Sequence, residues 1–301
     1  MRKKMKKRIF MLAAVSVAFI LSACGGQNRP QWQQGEDNEA KVSAAVSATS
    51  ADYDRDEESL DLNDPSNAVA HEDPDEEKIL LPAPLKNRSE QILRRTGYIV
   101  SYNKDLKIPN WVAWHLTADR LEGPGKRKGV AFHPDVEVEG EKVDTYDYQR
   151  SGYDRGHMCP AGDNKFSQLA MEESFLMSNI CPQIPNLNRG DWNEMEIQCR
   201  NWAKEYGDIY IVCGPIFFRQ KHQTIGQHKV TVPEAFFKCV LCLSGGKPWA
   251  VGFIYRNTEG NHPKSYYVNS VDEVERVTGM DFFHGLDKKV QDKVERERVL
   301  P

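Results

Sequence analysis

The clearest hydrophobic pattern in this chain lies between residues 192 and 206. Apolar side chains recur there every three or four positions, at Trp192, Met195, Cys199, Trp202 and Tyr206. This spacing predicts a helix with one buried face. Asp191 and Glu194 resemble a capping box at its start, although the helix could begin a turn earlier near Asn188, and Gly207 is placed to end it.

Mostly apolar, β-rich runs predict strands elsewhere in the chain. They cover residues 98–102, 111–116, 208–217, 235–243 and 249–255. Residues 107–110 and 244–248, which contain proline or glycine, each separate two of these runs, so we expect two hairpins. Two weaker helical patterns span residues 166–177 and the segment from Ser270 to Val277. This irregular order of hairpins and helices favours an α+β domain.

The first 24 residues have the pattern of an export signal. Six basic residues among the first eight precede an apolar stretch, residues 9–21, that is too short for a mature membrane span. The sequence Leu21-Ser22-Ala23-Cys24 resembles a bacterial lipobox, and an ordinary signal peptide cleaved nearby is the alternative. We expect a lipid on Cys24. Lipoproteins retained at the inner membrane carry aspartate directly after the lipidated cysteine, and this chain has Gly25 there. We therefore expect an exported protein at the outer membrane, facing either the periplasm or the cell surface.

Residues 25–78 are predicted to be a disordered acidic tether. The segment has few large apolar residues, and residues 52–77 contain 12 carboxylates against one arginine. Such a chain cannot bury enough apolar surface to offset its ordering entropy. It could bind a partner, but a self-repelling spacer is the commoner use. The folded domain is therefore expected to span residues 79–301, which is long enough for one substantial core.

Bulk charge does not indicate a polyanionic partner. Residues 1–78 contain 10 Lys and Arg against 15 Asp and Glu, a charge of −5, and residues 79–301 contain 30 against 29, a charge of +1. A near-neutral domain has no general attraction for nucleic acid, so binding would need local basic sites. The candidates are Arg120, Lys126, Arg127, Lys128, Arg150 and Arg155.

Six cysteines follow Cys24, and export would permit them to form disulfides in pairings that spacing leaves open. Cys239 and Cys242 stand three residues apart in a predicted strand. Side chains at that spacing point to opposite faces, so we do not expect these two thiols to share a metal ion.

Three short segments contain residues suited to phosphodiester chemistry. Asp154-Arg155-Gly156-His157 joins a histidine, which can act as a base near neutral pH, to an arginine, whose guanidinium matches phosphate oxygens. Residues 178–183 read Ser-Asn-Ile-Cys-Pro-Gln. Asn188 and Glu196 lie about 80° apart if they share a helix, so both can face one site. An asparagine oxygen can anchor Mg²⁺, and a carboxylate can orient the water around it.

Together these segments resemble the DNA/RNA non-specific endonuclease family of the His-Me finger (ββα-metal) class, which includes mitochondrial endonuclease G. The likeness covers most of residues 95–285 and includes residues 210–215 and 232–238. It implies a central, mostly antiparallel sheet flanked by helices. It also implies Mg²⁺-dependent hydrolysis of DNA and RNA to 5′-phosphate ends, with Mn²⁺ able to substitute, and leaves a homodimer open.

The resemblance also assigns roles to particular residues. His157 would be the general base, and Asn188 the only direct protein ligand of Mg²⁺. Three further residues would complete the catalytic set: Glu196 would orient water around the ion, Asn179 would support His157, and Arg155 would lie against the phosphate.

The resemblance raises one further expectation, at Arg120, and one difference from the family, at Cys159. The family uses an upstream arginine near the phosphate, and we expect Arg120 in that role. Cys159 stands where the family usually has a small or apolar residue, which makes a bridge to Cys181 conceivable.

Two other functions stay open. The chain could be a catalytically silent lipoprotein that captures nucleic acid, or a phosphodiesterase for small or lipid substrates. The combination of His157, Asn188 and Glu196 favours the nuclease, because binding alone requires none of them.

Overall fold

The computed structural model describes residues 74–258 and 260–301; the predicted signal peptide, Cys24 and most of the predicted tether lie outside them. Seven strands form one antiparallel sheet. In spatial order these are β1 (Gln91–Arg94), β2 (Ile99–Asn103), β3 (Ile108–Thr117), β6 (Asp208–Ile216), β9 (Ala235–Cys242), β10 (Trp249–Arg256) and β11 (Val268–Asn269).

Two small ribbons and seven helices surround this sheet in the described residues. The ribbons pair β4 (Asp154–His157) with β5 (Ile180–Gln183), and β7 (Thr224–Ile225) with β8 (Val230–Thr231). The α-helices are α1 (Pro74–Leu80), α2 (Gln168–Glu173), α3 (Pro185–Leu187), α4 (Asn193–Tyr206), α5 (Lys264–Tyr267), α6 (Val271–Thr278) and α7 (Lys288–Val294). The α+β prediction, with a central antiparallel sheet flanked by helices, is confirmed.

Both faces of the large sheet are covered, which explains why its inner strands are apolar at almost every position. Helix α4 packs against β3 and β6 on one side, which we call the α4 face. Helices α1, α6 and α7 pack on the opposite side, the α6 face. Side chains alternate between the faces, so that on β6 Ile211 and Cys213 join the core of the α4 face, and Tyr210 and Val212 join the core of the α6 face.

Most predicted elements are present, with one helix shorter than expected. Helix α4 ends as predicted at Gly207, which takes the left-handed φ of 99°. The helix predicted over residues 166–177 is wrong in length, because only Gln168–Glu173 is α-helical. The chain then turns so that Leu176 forms a bridge with His133, and this contact replaces the expected last helical turn.

The first hairpin is also present, but its turn was predicted too late. It occupies residues 104–107, where Lys107 adopts a φ of 60°, instead of residues 107–110. Pro109 lies inside β3, and the pairing of β2 with β3 shifts register between Ser101 and Tyr102 to accommodate it. The proline therefore marks a strand irregularity and not the turn.

The fold begins before the predicted boundary at residue 79. Helix α1 starts at Pro74, Glu77 forms an ion pair with Arg94 at 2.6 Å, and Leu80 is fully buried on the α6 face. Acidic composition therefore did not exclude these residues from the domain, because the carboxylates have partners there. Within residues 74–258 and 260–301, no helix has the length and apolar character needed to cross a bilayer.

The six cysteines from Cys159 to Cys242 are all buried free thiols, so the conceivable bridge from Cys159 to Cys181 is not formed. Cys239 lies on the α6 face and Cys242 on the α4 face. The expectation that their side chains point apart is confirmed.

Candidate active site

The first two motif segments pair with each other directly. Strand β4 holds Asp154 to His157, and its partner β5 places Cys181 opposite Gly156 and Ile180 opposite His157. The ribbon needs the glycine, because a Cβ at Gly156 would lie 2.1 Å from Oε1 of Gln183. Helix α3, a kinked turn and helix α4 follow β5, so the chain forms a ββα unit that carries the third motif.

His157 lies in an aromatic pocket at the end of β4. Its ring is 5.1 Å from the ring of Phe132 and 5.0 Å from that of Phe175. Burial, together with the charges of Arg127 and Arg155, lowers the pKa of His157 to about 3. The imidazole is therefore neutral at neutral pH, and its Nε2 is buried with no hydrogen-bond partner in the described residues.

Two arginines approach this pocket from either side. The Arg155 guanidinium lies 4.7 Å from the ring centroid of Phe132, and its Nη1 donates to the Thr145 hydroxyl. The Arg127 guanidinium lies 5.4 Å from the ring centroid of Phe175. Both arginines are exposed, so a positive charge borders each aromatic wall of the His157 pocket and remains open to solvent.

The structure corrects the expectation for Arg120. Its side chain is buried, and its guanidinium donates to the carbonyls of His115 and Gly97 and to Oδ1 of Asn164. A guanidinium that joins three backbone and side-chain acceptors inside the protein cannot also contact a phosphate in solution. Among the upstream basic residues, Arg127 instead borders the His157 pocket.

Asn179 supports the site through the backbone. The side chain is fully buried, its Oδ1 accepts from the Cys159 amide at 2.9 Å, and its Nδ2 donates to the carbonyls of Cys159 and Ser174, each at 2.8 Å. These bonds fix the turn that directly follows His157. Asn179 therefore holds the turn after His157 from the buried side of the site.

Asn188 lies at the start of a π-helical turn, Asn188–Trp192, that joins α3 to α4. Its amide nitrogen donates to Oδ2 of Asp154 at 2.9 Å, and Arg189 holds both oxygens of the same carboxylate at 2.8 Å. With its nitrogen bound to Asp154, Asn188 retains the amide oxygen as a ligand atom. Gly190 has non-helical angles (φ −105°, ψ −110°), so Asn188 and Glu196 do not share one regular helix as expected.

Asp191, predicted to cap helix α4, has a different role. The backbone leaves helical geometry at Gly190, directly before it, and the Asp191 carboxylate is used in contacts outside α4. Its Oδ2 accepts from the amides of Asn261 and His262, at 2.7 and 3.2 Å, and from the Tyr267 hydroxyl. Asp191 therefore ties a distant loop to the turn that carries Asn188.

Glu196 projects from α4 into a partly buried cluster of charges. Desolvation raises the pKa of Glu196 to about 7, and the charge of Lys238 opposes this shift. Lys238 itself is fully buried, with its Nζ 4.4 Å from the ring centroid of Trp192 and 5.1 Å from that of Trp114. Burial therefore disfavours the charged form of this carboxyl, and the neighbouring Lys238 charge favours it.

Asp163 and Arg200 complete this cluster, and the motifs did not indicate either residue. The buried Asp163 carboxylate accepts from Nε1 of Trp114 at 3.1 Å and from Nη1 of Arg200 at 2.9 Å. The sequence did contain one signal for Lys238, since it is the only charged residue in the apolar strand Ala235–Cys242. A lone lysine in a strand that is covered on both faces is costly to bury and therefore marks a position with an unusual environment, here two tryptophan rings.

Comparison with known proteins identifies the family of this chain. The family model described as DNA/RNA non-specific endonuclease matches residues 78–289. The mitochondrial nuclease EXOG of Danio rerio is 37% identical over 209 residues, which cover 64% of this chain and 61% of the relative. Nuclease C1 of Cunninghamella echinulata var. echinulata is 35% identical over 214 residues, which cover 66% of this chain and 85% of the relative.

Endonuclease G shows the same likeness in sequence and in structure. The mitochondrial endonuclease G of Bos taurus is 31% identical over 205 residues, 64% of this chain and 69% of the relative. A chain from the crystal structure of an EndoG/EndoGI complex matches with a TM-score of 0.66 and 28% identity, covering 73% of this chain and 95% of that one. Against the EXOG relatives, this chain spans only about three fifths of their length.

Proposed function

The chain belongs to the DNA/RNA non-specific endonuclease family, and we propose that it hydrolyses phosphodiester bonds of DNA and RNA with His157 as the general base. The main support is the state of His157: a neutral imidazole whose Nε2 has no partner in the described residues and lies between two exposed arginines. A base must be unprotonated before it can accept the proton of an attacking water.

Arg155 and Arg127 are the residues we propose for the phosphate. Each is exposed beside an aromatic wall of the His157 pocket, so both guanidinium groups can reach the oxygens of one bound phosphodiester. Their charges lower the pKa of His157 in the free protein, and a bound phosphate anion would offset them. His157 would then become a stronger base once substrate is bound.

The residues near His157 fit a Mg²⁺ ion. The Asn188 amide oxygen would be the direct ligand, oriented by the bond from its nitrogen to Asp154, and Glu196 would hold water around the ion. A neutral amide ligand is suited to an ion that keeps most of its water, and Mn²⁺ could substitute. The ion would supply positive charge for the phosphate and the departing 3′ oxygen. Water would attack phosphorus and give its proton to His157 as the bond from phosphorus to the 3′ oxygen breaks, so the phosphate would remain on the 5′ end.

Export and anchoring are proposed from the N-terminal sequence alone. Cys24 would carry a lipid and hold the protein at the outer membrane, with the acidic residues 25–73 as a spacer. Replacing Cys24 by serine should release the protein from the membrane fraction or leave its signal uncleaved. Continued membrane association of a correctly cleaved Cys24→Ser protein would contradict the anchor.

The nuclease is tested by incubating the purified protein with supercoiled plasmid and with RNA, in Mg²⁺ and in EDTA. We expect nicking and then degradation of both substrates in Mg²⁺ only, with 5′-phosphate ends, and no cleavage by His157→Ala. Binding of both polymers without cleavage would contradict the proposal and identify a capture protein. Cleavage of small phosphodiesters alone would also contradict it.

A further inference from the structure

A cluster of three carboxylates lies on the α6 face, away from the ββα unit. Asp272 and Glu275 stand one turn apart on α6, and Glu295 directly follows α7. One oxygen from each carboxylate lies within 4.8 Å of the others. Asp272 is exposed, Glu275 is partly buried and Glu295 is buried, so the cluster reaches from solvent into the packing between the two helices.

Glu295 has an unsatisfied oxygen at the inner end of this cluster. The residue is only 3% exposed, and its Oε1 has no hydrogen-bond partner among the described residues. A buried polar atom without a partner is rare in folded proteins and calls for an explanation, such as a bound ion. The Glu295 carboxylate is directed towards Asp272 and Glu275, where a positive charge would meet all three groups.

The protein provides little positive charge of its own at this point. Asp281 adds a fourth carboxylate nearby, and the nearby Lys288 is paired with Asp292 at 2.8 Å. Burial, followed by repulsion from neighbouring carboxylates, raises the pKa of Glu295 to about 8 and that of Glu275 to about 7. Without a cation, these groups must take up protons or repel one another.

We propose that Asp272, Glu275 and Glu295 form a structural site for a divalent cation, with Ca²⁺ as the best match. Three carboxylates from the protein are a typical ligand set for Ca²⁺, whereas Mg²⁺ is usually held by one or two carboxylates. Ligand oxygens about 2.3–2.6 Å from a Ca²⁺ ion lie at most about 5 Å apart, which agrees with the spacing here. Water can complete the shell on the exposed side of Asp272.

Such an ion would connect α6 to the segment after α7. Glu275 already accepts from the Phe282 amide at 2.7 Å, and the Asp272 amide donates to the Glu295 carbonyl at 3.1 Å. The backbone around the site is thus held in place before any ion binds. The ion would stabilise the packing of α6 and α7 on the sheet. It would act independently of the proposed nuclease chemistry.

The test is thermal unfolding of the purified protein, first in EDTA and then with increasing Ca²⁺, at pH 8. We expect Ca²⁺ to raise the Tm by several degrees and calorimetry to detect one bound ion. Glu295→Gln should abolish the shift, and Asp272→Asn, a change at an exposed side chain, should weaken it if Glu295→Gln does not fold. Glu273→Gln, on the same helix but paired with Arg276, is the matched control and should retain the full shift.

Two further arms separate this site from others. Asn188→Ala should keep the Ca²⁺ shift, because that residue belongs to the proposed catalytic site. The shift should shrink at pH 5, because protons compete with a cation for carboxylate ligands. The proposal is wrong if millimolar Ca²⁺ leaves the Tm of the unmodified protein unchanged at pH 8. It is also wrong if Glu295→Gln retains the full shift, because the ion would then bind elsewhere.

Discussion

The two faces of the central sheet use the same strands for different purposes. On β9, Phe237, Cys239 and Leu241 point to the α6 face and join an apolar core. Phe236, Lys238 and Val240 point to the α4 face, where the lysine lies between two tryptophans. Neighbouring residues of one strand therefore serve either packing or the charged surroundings of the candidate site.

The two faces differ in how much charge they bury. The α4 face contains the buried Lys238 and Asp163, and burying charge costs free energy. Asp163 is paired with the partly exposed Arg200 at 2.9 Å, whereas Nζ of Lys238 has no hydrogen-bond partner among the described residues. The α6 face is almost entirely apolar where it contacts the sheet, so it contributes hydrophobic stabilisation without that penalty. Changes on the α4 face should therefore affect activity first, and changes on the α6 face should affect stability first.

The largest expected effect is at His157. Replacing it with alanine should lower nuclease turnover by at least about 10³-fold, the scale of a lost general base. The Tm should stay near that of the unmodified protein, because Asn179 continues to hold the following turn. Rescue by added imidazole would support the role further. A His157→Ala protein that cleaves plasmid at the original rate would contradict the assignment.

The next effect is expected at Asn188. Loss of a direct ligand should raise the Mg²⁺ concentration for half-maximal activity by more than the roughly 10- to 100-fold typical of supporting residues. Glu196→Gln should be milder, because that side chain is proposed to reach the ion only through water. Mg²⁺ titrations of both variants measure the difference. An unchanged midpoint in Asn188→Ala would mean that the ion binds elsewhere.

Arg127 and Arg120 provide a matched pair of arginines within one segment. Arg127→Ala should lower kcat/KM by about 10- to 100-fold, the loss of one charged hydrogen bond, with an unchanged Tm. Arg120→Ala should lower the Tm, because it leaves the Gly97 carbonyl and Asn164 without their donor, while the remaining folded protein cleaves normally. The reverse pattern would restore Arg120 as the phosphate ligand.

The smallest effect on activity is expected at Phe237. Phe237→Ala should reduce the free energy of unfolding by about 3–5 kcal/mol, because it leaves a cavity in the α6 face. The kcat of the folded fraction should stay unchanged. Denaturant unfolding and turnover of the same samples measure both quantities. A large loss of kcat with unchanged stability would show that the two faces are not separable in this way.

The sequence alone determined the local elements and the identity of the reactive groups. Apolar periodicity predicted α4, Gly207 predicted its end, and apolar runs predicted most strands of the sheet, whereas the capping signal at Asp191 was wrong. The three motifs indicated the family and its expected residues. These features depend on short-range rules, since side-chain spacing and backbone preference act within a few positions.

Tertiary structure decided which of these groups meet. Only the pairing of β4 with β5 placed the first two motifs together, and only the turn at Gly190 set the relation of Asn188 to Glu196. Arg120 and Arg127 were both candidate basic sites in the sequence. In the structure, Arg120 is buried against carbonyls, and Arg127 borders the His157 pocket. Such differences arise from contacts between residues far apart in the chain, which no local pattern contains.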